Sequence, residues 1–194
     1  VDTIKSDIEY IQLAEGKYKL VRGTNADDTG PLAADATEKS LVLGFGGDDV
    51  LKSGAGDDLL SGGEGIDTLS FSGHTSAVTV ALDSEVTNSA GTATGDGIGT
   101  DRFGNIENVI GGDKGDTITG NEGGNVLDGG AGDDTLKGGA EGDLLLGSDG
   151  DDSITGGEGD DYIVGGESGE TAGDTAVFAE AFDATKYVID YAGG

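Results

Sequence analysis

The chain has 194 residues, 40 of them glycine, with 5 Phe, 5 Tyr, no Cys, Met or Trp, and a formal net charge of −29. That charge repels nucleic acid and anionic membranes, no apolar run approaches the roughly 20 residues of a membrane helix, and disulfides are excluded. Few aromatics with high charge is by itself the composition of a disordered chain, so a fold here must draw on something besides a large apolar core.

In chain order, residues 1–43 include IEYIQLAEGKYKLVRG, which reads as two short strands around Glu15-Gly16, followed by a polar loop through Pro31. The segment is expected to be a strand-rich N-terminal cap or the end of a preceding domain. A nine-residue unit, Gly-Gly-x-Gly-x-Asp-x-Leu-x, then begins, and three consecutive copies fill 44–70 (GFGGDDVLK, SGAGDDLLS, GGEGIDTLS). Residues 71–110 interrupt it. There, residues 78–82 alternate as a strand, a Gly/Thr-rich loop covers 91–101, and residues 105–110 lead back. The interruption is expected to rejoin the same structure. Six further copies fill 111–164, and in a broken one Gly165-Gly166-Glu167 is separated from Gly173-Asp174-Thr175-Ala176. Strands are expected at 175–178 and 187–191, with 179–194 the start of a truncated C-terminal cap.

A short fixed period specifies the architecture. Glycines permit positive φ and close backbone approach. The sixth position supplies a carboxylate at Asp49, Asp58, Asp67, Asp116, Asp134, Asp143, Asp152 and Asp161, with Asn125 the exception. The eighth is Leu or Ile throughout, the inward residue of a three-residue strand. Two units then close one turn of a flattened coil with strands about 4.8 Å apart. Carbonyls and carboxylates converging between turns form all-oxygen sites suited to calcium. One buried Leu or Ile per unit contributes about 1.5–3 kcal/mol, against about 1–2 kcal/mol for ordering each backbone residue. Folding is therefore expected to be metal-driven.

On these residues the chain resembles the RTX, or haemolysin-type, calcium-binding family over roughly 44–70 and 111–178. The resemblance implies an all-β fold, a parallel β-roll over 44–178 with each ion between one loop and the loop eighteen residues later. It also implies the ligands: carbonyls of positions two and four with the sixth carboxylate from the first loop, and carbonyls of positions one and three with the sixth carboxylate from the later one. Phe45, Gly47 and Asp49 then share an ion with Gly62, Glu64 and Asp67. In the second block Gly112, Lys114 and Asp116 face Gly129, Ala131 and Asp134, while Asn121, Gly123 and Asn125 face Gly138, Ala140 and Asp143. Gly130, Gly132 and Asp134 face Gly147, Asp149 and Asp152, and Gly139, Glu141 and Asp143 face Gly156, Glu158 and Asp161. Ser148, Gly150 and Asp152 face Gly165, Glu167 and Asp174. Asp58, Gly157 and Gly159 belong to the same positions. Lys114 and Asn125 depart from the pattern. Roughly four to eight calcium ions are expected.

Catalytic constellations are missing from the sequence. The one histidine, His74, lies in the interruption, so neither a paired-histidine zinc site nor a Ser-His-Asp triad can be assembled. Asp28-Thr29-Gly30 sits in a polar loop without the apolar flanks of an aspartic-protease strand. Extracellular calcium modules bind at about 10⁻⁴–10⁻³ M, which leaves such sites empty in a bacterial cytosol. The resemblance implies type I secretion and folding by external calcium. The expected whole is a large secreted, cell-surface adhesin, with a secreted hydrolase or toxin as the alternative. The chain, which starts without a visible signal peptide, reads as a non-catalytic and monomeric fragment of it, with no nucleic-acid partner and no membrane insertion.

Overall fold

The computed structural model describes residues 9–28, 30–35, 37–83, 90–166, 173–177 and 187–190. Every regular element among them is a strand, and the strands form two sheets of eleven and eight. Within each repeat block, neighbouring strands are parallel and offset by eighteen residues: Leu51 lies beside Leu69, Leu127 beside Leu145, Leu145 beside Ile163, and Leu136 beside Ile154. The chain alternates between the sheets, one short strand each, which makes a parallel β-roll. The core is the stack of eighth-position side chains between the sheets, with Leu51, Leu69, Leu127, Leu136 and Leu145 fully buried.

The roll extends beyond the repeats in both directions. Strand Gly16–Arg22 runs parallel to Ser40–Gly46, and Leu32–Ala33 lies beside Val50–Lys52. Tyr10–Leu13 adds antiparallel to Gly16–Arg22 at the edge of the larger sheet. At the far end Thr175–Val177 continues one sheet and Tyr187–Asp190 the other. Phe178 and Tyr191, where those strands were expected to end, lie outside the described residues, as do Thr29 and Glu167.

The interruption departs from the expected loop. Residues 91–101 hold the strand Gly91–Gly95 and the start of Gly99–Gly104, antiparallel to each other, and Gly91–Gly95 is also antiparallel to Val78–Ala81. Thr92 and Thr94 face out while Ala93 is fully buried, the alternation of a strand. The meander puts three strands into the larger sheet between Leu59–Glu64 and Thr117–Thr119, where the smaller sheet has one, Asn108–Ile110. The sheets stay closed around the extra volume because bulkier residues fill it. Phe71, Ile98, Phe103 and Ile106 are buried there, at a level of the core where the regular turns need one Leu or Ile per strand.

Candidate metal centre

The sixth-position residues form a ladder along both edges of the roll. Six of the backbone N–H groups donate to the sixth side chain of the next turn: Asp49 to Asp67 Oδ1 (2.9 Å), Asp116 to Asp134 Oδ1 (2.6 Å), Asn125 to Asp143 Oδ1 (2.8 Å), Asp134 to Asp152 Oδ1 (2.8 Å), Asp143 to Asp161 Oδ1 (3.0 Å) and Asp152 to Asp174 Oδ1 (2.9 Å). From Asp49 through Asp161 these side chains are at most 3 % exposed. Among the described residues Lys19–Asp35 and Lys39–Asp57 form ion pairs, and neither involves a buried sixth-position carboxylate.

The second carboxylate oxygen divides the loops into two kinds. In Asp49, Asp67, Asp134, Asp143, Asp152 and Asp161, Oδ2 is buried and has no hydrogen-bond partner. In the others a donor from the chain's own position two fills that role. The Gly54 N–H donates to Asp58 Oδ2 (3.2 Å), Gly112 N–H to Asp116 Oδ2 (2.6 Å), Asn121 N–H to Asn125 Oδ1 (2.9 Å) and Thr24 N–H to Asp28 Oδ2 (3.2 Å). The backbone at position two follows the same division. It has positive φ at Phe45 (80°), Gly63 (124°), Gly130 (96°), Gly139 (138°), Ser148 (75°) and Gly157 (121°), all in loops with an unpartnered Oδ2, and at none of Thr24, Gly54, Gly112 or Asn121. A sign change in φ is what a flip of the preceding peptide produces, and the flip replaces an inward N–H with an inward carbonyl. We call the first kind open and the second self-capped.

Oxygens converge beneath each open loop, whichever kind of loop lies below. A Cβ on Gly23, Gly111 or Gly120 of the self-capped loops would meet Asp28 Oδ2 and Gly44 O, Asp116 Oδ2 and Gly129 O, or Asn125 Oδ1 and Gly138 O. The open loops repeat the arrangement with an oxygen that has no donor. A Cβ placed on Gly44 would collide with both its own loop's Asp49 Oδ2 and the carbonyl of Gly62 one turn on. The same double collision occurs at Gly129 (Asp134 Oδ2, Gly147 O), Gly138 (Asp143 Oδ2, Gly156 O) and Gly147 (Asp152 Oδ2, Gly165 O). First-position glycine is therefore required by the space two oxygens occupy. Two carboxylates and several carbonyls per site explain why no cluster of three or more His, Cys, Asp or Glu side chains is found among the described residues. Of the carbonyls expected as ligands, those of Asp149, Gly139, Gly165, Gly112 and Asn121 also accept backbone bonds from Gly132, Glu158, Ser148, Ala131 and Ala140, which leaves each a second lone pair.

Burial without compensation raises the carboxyl pKa values. Desolvation, with smaller repulsion from neighbouring aspartates, pushes Asp134 up to about 7 and Asp143 and Asp152 to about 6. Asp49, Asp67 and Asp161 are raised by the same cause. A buried anion with an unpartnered oxygen is costly, and a hard divalent cation held by oxygens removes that cost. The residues fit calcium, which would supply charge compensation between turns.

Some participants escape the repeat pattern. Asp101 is fully buried; its Oδ1 accepts the Asp58 N–H (2.9 Å) and its Oδ2 the Ser53 hydroxyl (2.6 Å). Its signal is the degenerate unit Asp96-Gly97-Ile98-Gly99-Thr100-Asp101-Arg102-Phe103-Gly104, with positive φ at Gly97 and Gly99. Asp28 stands five residues after Gly23, the spacing of Gly44 and Asp49, and its N–H donates to Asp49 Oδ1 (2.9 Å). Ser40 takes the sixth position below Asp58, donating its N–H to Asp58 Oδ1 (2.7 Å).

A parallel β-roll whose turns are joined by acidic, glycine-built loops defines a calcium-binding solenoid module. The model of the RTX calcium-binding nonapeptide repeat (4 copies) matches residues 43–70, 110–145 and 137–168, and the repeat blocks of this chain belong to that family. Such a β-roll is a structural calcium-binding module and not a catalytic one, of a kind typical of secreted proteins. Comparison with curated proteins gives no match.

Proposed function

We propose that this chain is a module that folds on binding calcium outside the cell, within a large type I secreted bacterial surface adhesin. The observation that carries the calcium-driven step is the set of six buried aspartate oxygens without a partner. In a calcium-poor cytosol those carboxylates destabilise the roll and the chain stays unfolded for export; millimolar calcium outside closes the sites. The ions sit between consecutive open loops, with Asp49, Asp134, Asp143 and Asp152 and the facing carbonyls of Gly62, Gly147, Gly156 and Gly165 as central donors. Residues 1–43 supply the non-repeat turn that caps the roll at its N-terminal end, 44–178 its repeat-built body and 179–194 the start of the C-terminal cap. The adhesin reading rests on the strands that precede the repeats and on the long interruption inside them.

Two experiments test this. Refolding from denaturant is expected to fail with chelator and to succeed at about 1 mM calcium, read by resistance to limited proteolysis; equal resistance in both would contradict it. For the parent, the few hundred residues upstream are expected to show tandem β-sandwich repeats, and a catalytic motif there would replace the adhesin with a secreted hydrolase or toxin.

A further inference from the structure

Loop 62–67 is open, yet the next turn on its edge of the roll is no repeat. Gly63 and Gly65 have positive φ, Asp67 is fully buried, and Asp67 Oδ2 has no hydrogen-bond partner. Eighteen residues on, the chain is inside the interruption, and the segment stacked on this loop is Asn105-Ile106-Glu107. It reproduces the two contacts that define an upper loop. The Asn105 carbonyl occupies the place of a first-position carbonyl, because a Cβ on Gly62 would collide with both Asn105 O and Asp67 Oδ2, as one on Gly44 would with Gly62 O and Asp49 Oδ2. Glu107 Oε2 accepts the Asp67 N–H (2.7 Å), as Asp67 Oδ1 accepts that of Asp49.

Glu107 stands two positions after Asn105, where Asp67 stands five positions after Gly62. The shorter path is bridged by the extra methylene of glutamate and by Asn105 in the left-handed region (φ 55°), which asparagine tolerates better than most residues. Above Glu107 the run of ions is interrupted for one level, since Asn125 Nδ2 donates to the Glu107 carbonyl (2.8 Å) and an amide stands where a further ion would be needed.

We propose that residues 105–107 complete a calcium site with loop 62–67, its donors the Asp67 carboxylate, the Asn105 carbonyl and the Glu107 carboxylate, outside the nonapeptide pattern. The site ties the interruption to the first repeat block and rests on the calcium reading above. The test is bound calcium per chain by equilibrium dialysis at saturating calcium, comparing the unaltered chain with Glu107→Gln and with the exposed control Asp96→Asn. Glu107→Gln is expected to bind one ion fewer with an unchanged circular dichroism spectrum, and Asp96→Asn the full number. An undiminished count in folded Glu107→Gln would overturn the site. Should that variant not fold, crystals of the unaltered chain grown with calcium decide by anomalous scattering. A peak between Asp67 and Glu107 supports the site. Peaks between Asp143 and Asp161 with none at Glu107 refute it, and peaks nowhere refute the calcium reading itself.

Discussion

Loops 129–134, 138–143 and 147–152 differ from loops 53–58, 111–116 and 120–125 by one peptide orientation more than by composition. Both groups bury a sixth-position acceptor and pass its N–H up the same ladder. In the second group the position-two N–H satisfies that acceptor from within the loop; in the first it does not, and an oxygen is left bare. The comparison separates two ways of ending a turn of the same solenoid, one complete as protein and one completed by an ion. Loops 53–58, 111–116 and 120–125 lie on either side of the interruption, where the larger sheet carries its extra strands, and the open loop 62–67 lies among them. In the middle of the roll, turns complete as protein therefore alternate with one that needs an ion.

Both kinds of loop rest on one apolar stack, which supplies the control with the largest effect. Leu145→Ala, beside an open loop, and Leu60→Ala, beside a self-capped one, are each expected to lower stability by about 2–5 kcal/mol at saturating calcium, measured by thermal melting. A much smaller loss at one of them would mean that the two regions differ in packing and not only in capping.

Aspartate substitutions separate the loops themselves. Asp143→Ala removes a carboxylate with a bare oxygen and is expected to raise the calcium midpoint about tenfold, or about 1.4 kcal/mol. Asp116→Ala removes a side chain already held by two N–H groups, from Gly112 and Val78. It is expected to lower the melting temperature while moving the midpoint less than about twofold, at a cost of about 1–3 kcal/mol for the unpaired donors. A larger midpoint shift for Asp116→Ala would erase the distinction.

Acidity acts in place of calcium, more weakly. The folded-state pKa values of the open-loop aspartates lie above the unfolded value, so the metal-free fold binds more protons than the unfolded chain and loses stability as pH rises. The window runs from about pH 4, the ordinary carboxyl range, to the folded values of about 6 to 7. In chelator, β content should therefore increase when pH falls from 8 to 5, and the calcium midpoint should rise over the same interval as protons compete. A decrease in β content on acidification would contradict the assignment of buried, uncompensated carboxylates.

The smallest effect is expected at Asp101, in the interruption. Burial pushes its carboxyl up to about 7, and both oxygens have protein donors. Asp101→Asn keeps one acceptor and removes the charge, so at pH 8 the melting temperature should hold or rise slightly with calcium stoichiometry unchanged. Loss of an ion would place Asp101 among the ligands.

The period of nine made the roll, its eighteen-residue register and the buried sixth position legible, because each repeat carries the same steric demand. Position-two backbone was not legible: Gly112 and Gly130 are the same residue in the same place, yet only Gly130 has positive φ. Phe45 and Ser148 adopt positive φ without being glycine, so residue type does not report the flip. The 91–104 hairpin was hidden by glycine and threonine that read as loop, although Ala93 alternates inward. Glu107 was hidden because its spacing from Asn105 is too short for the motif and only the stacked structure shows it above Asp67.

Circular dichroism during a calcium titration of the chelated chain, with magnesium as the control, tests the central claim most directly. If calcium holds the bare oxygens, β structure should rise cooperatively between about 0.1 and several mM calcium. It should respond poorly to magnesium, which demands a tighter octahedron and keeps its waters. Equal β content in chelator and in calcium would show that the buried aspartates need no ion, and would contradict the account.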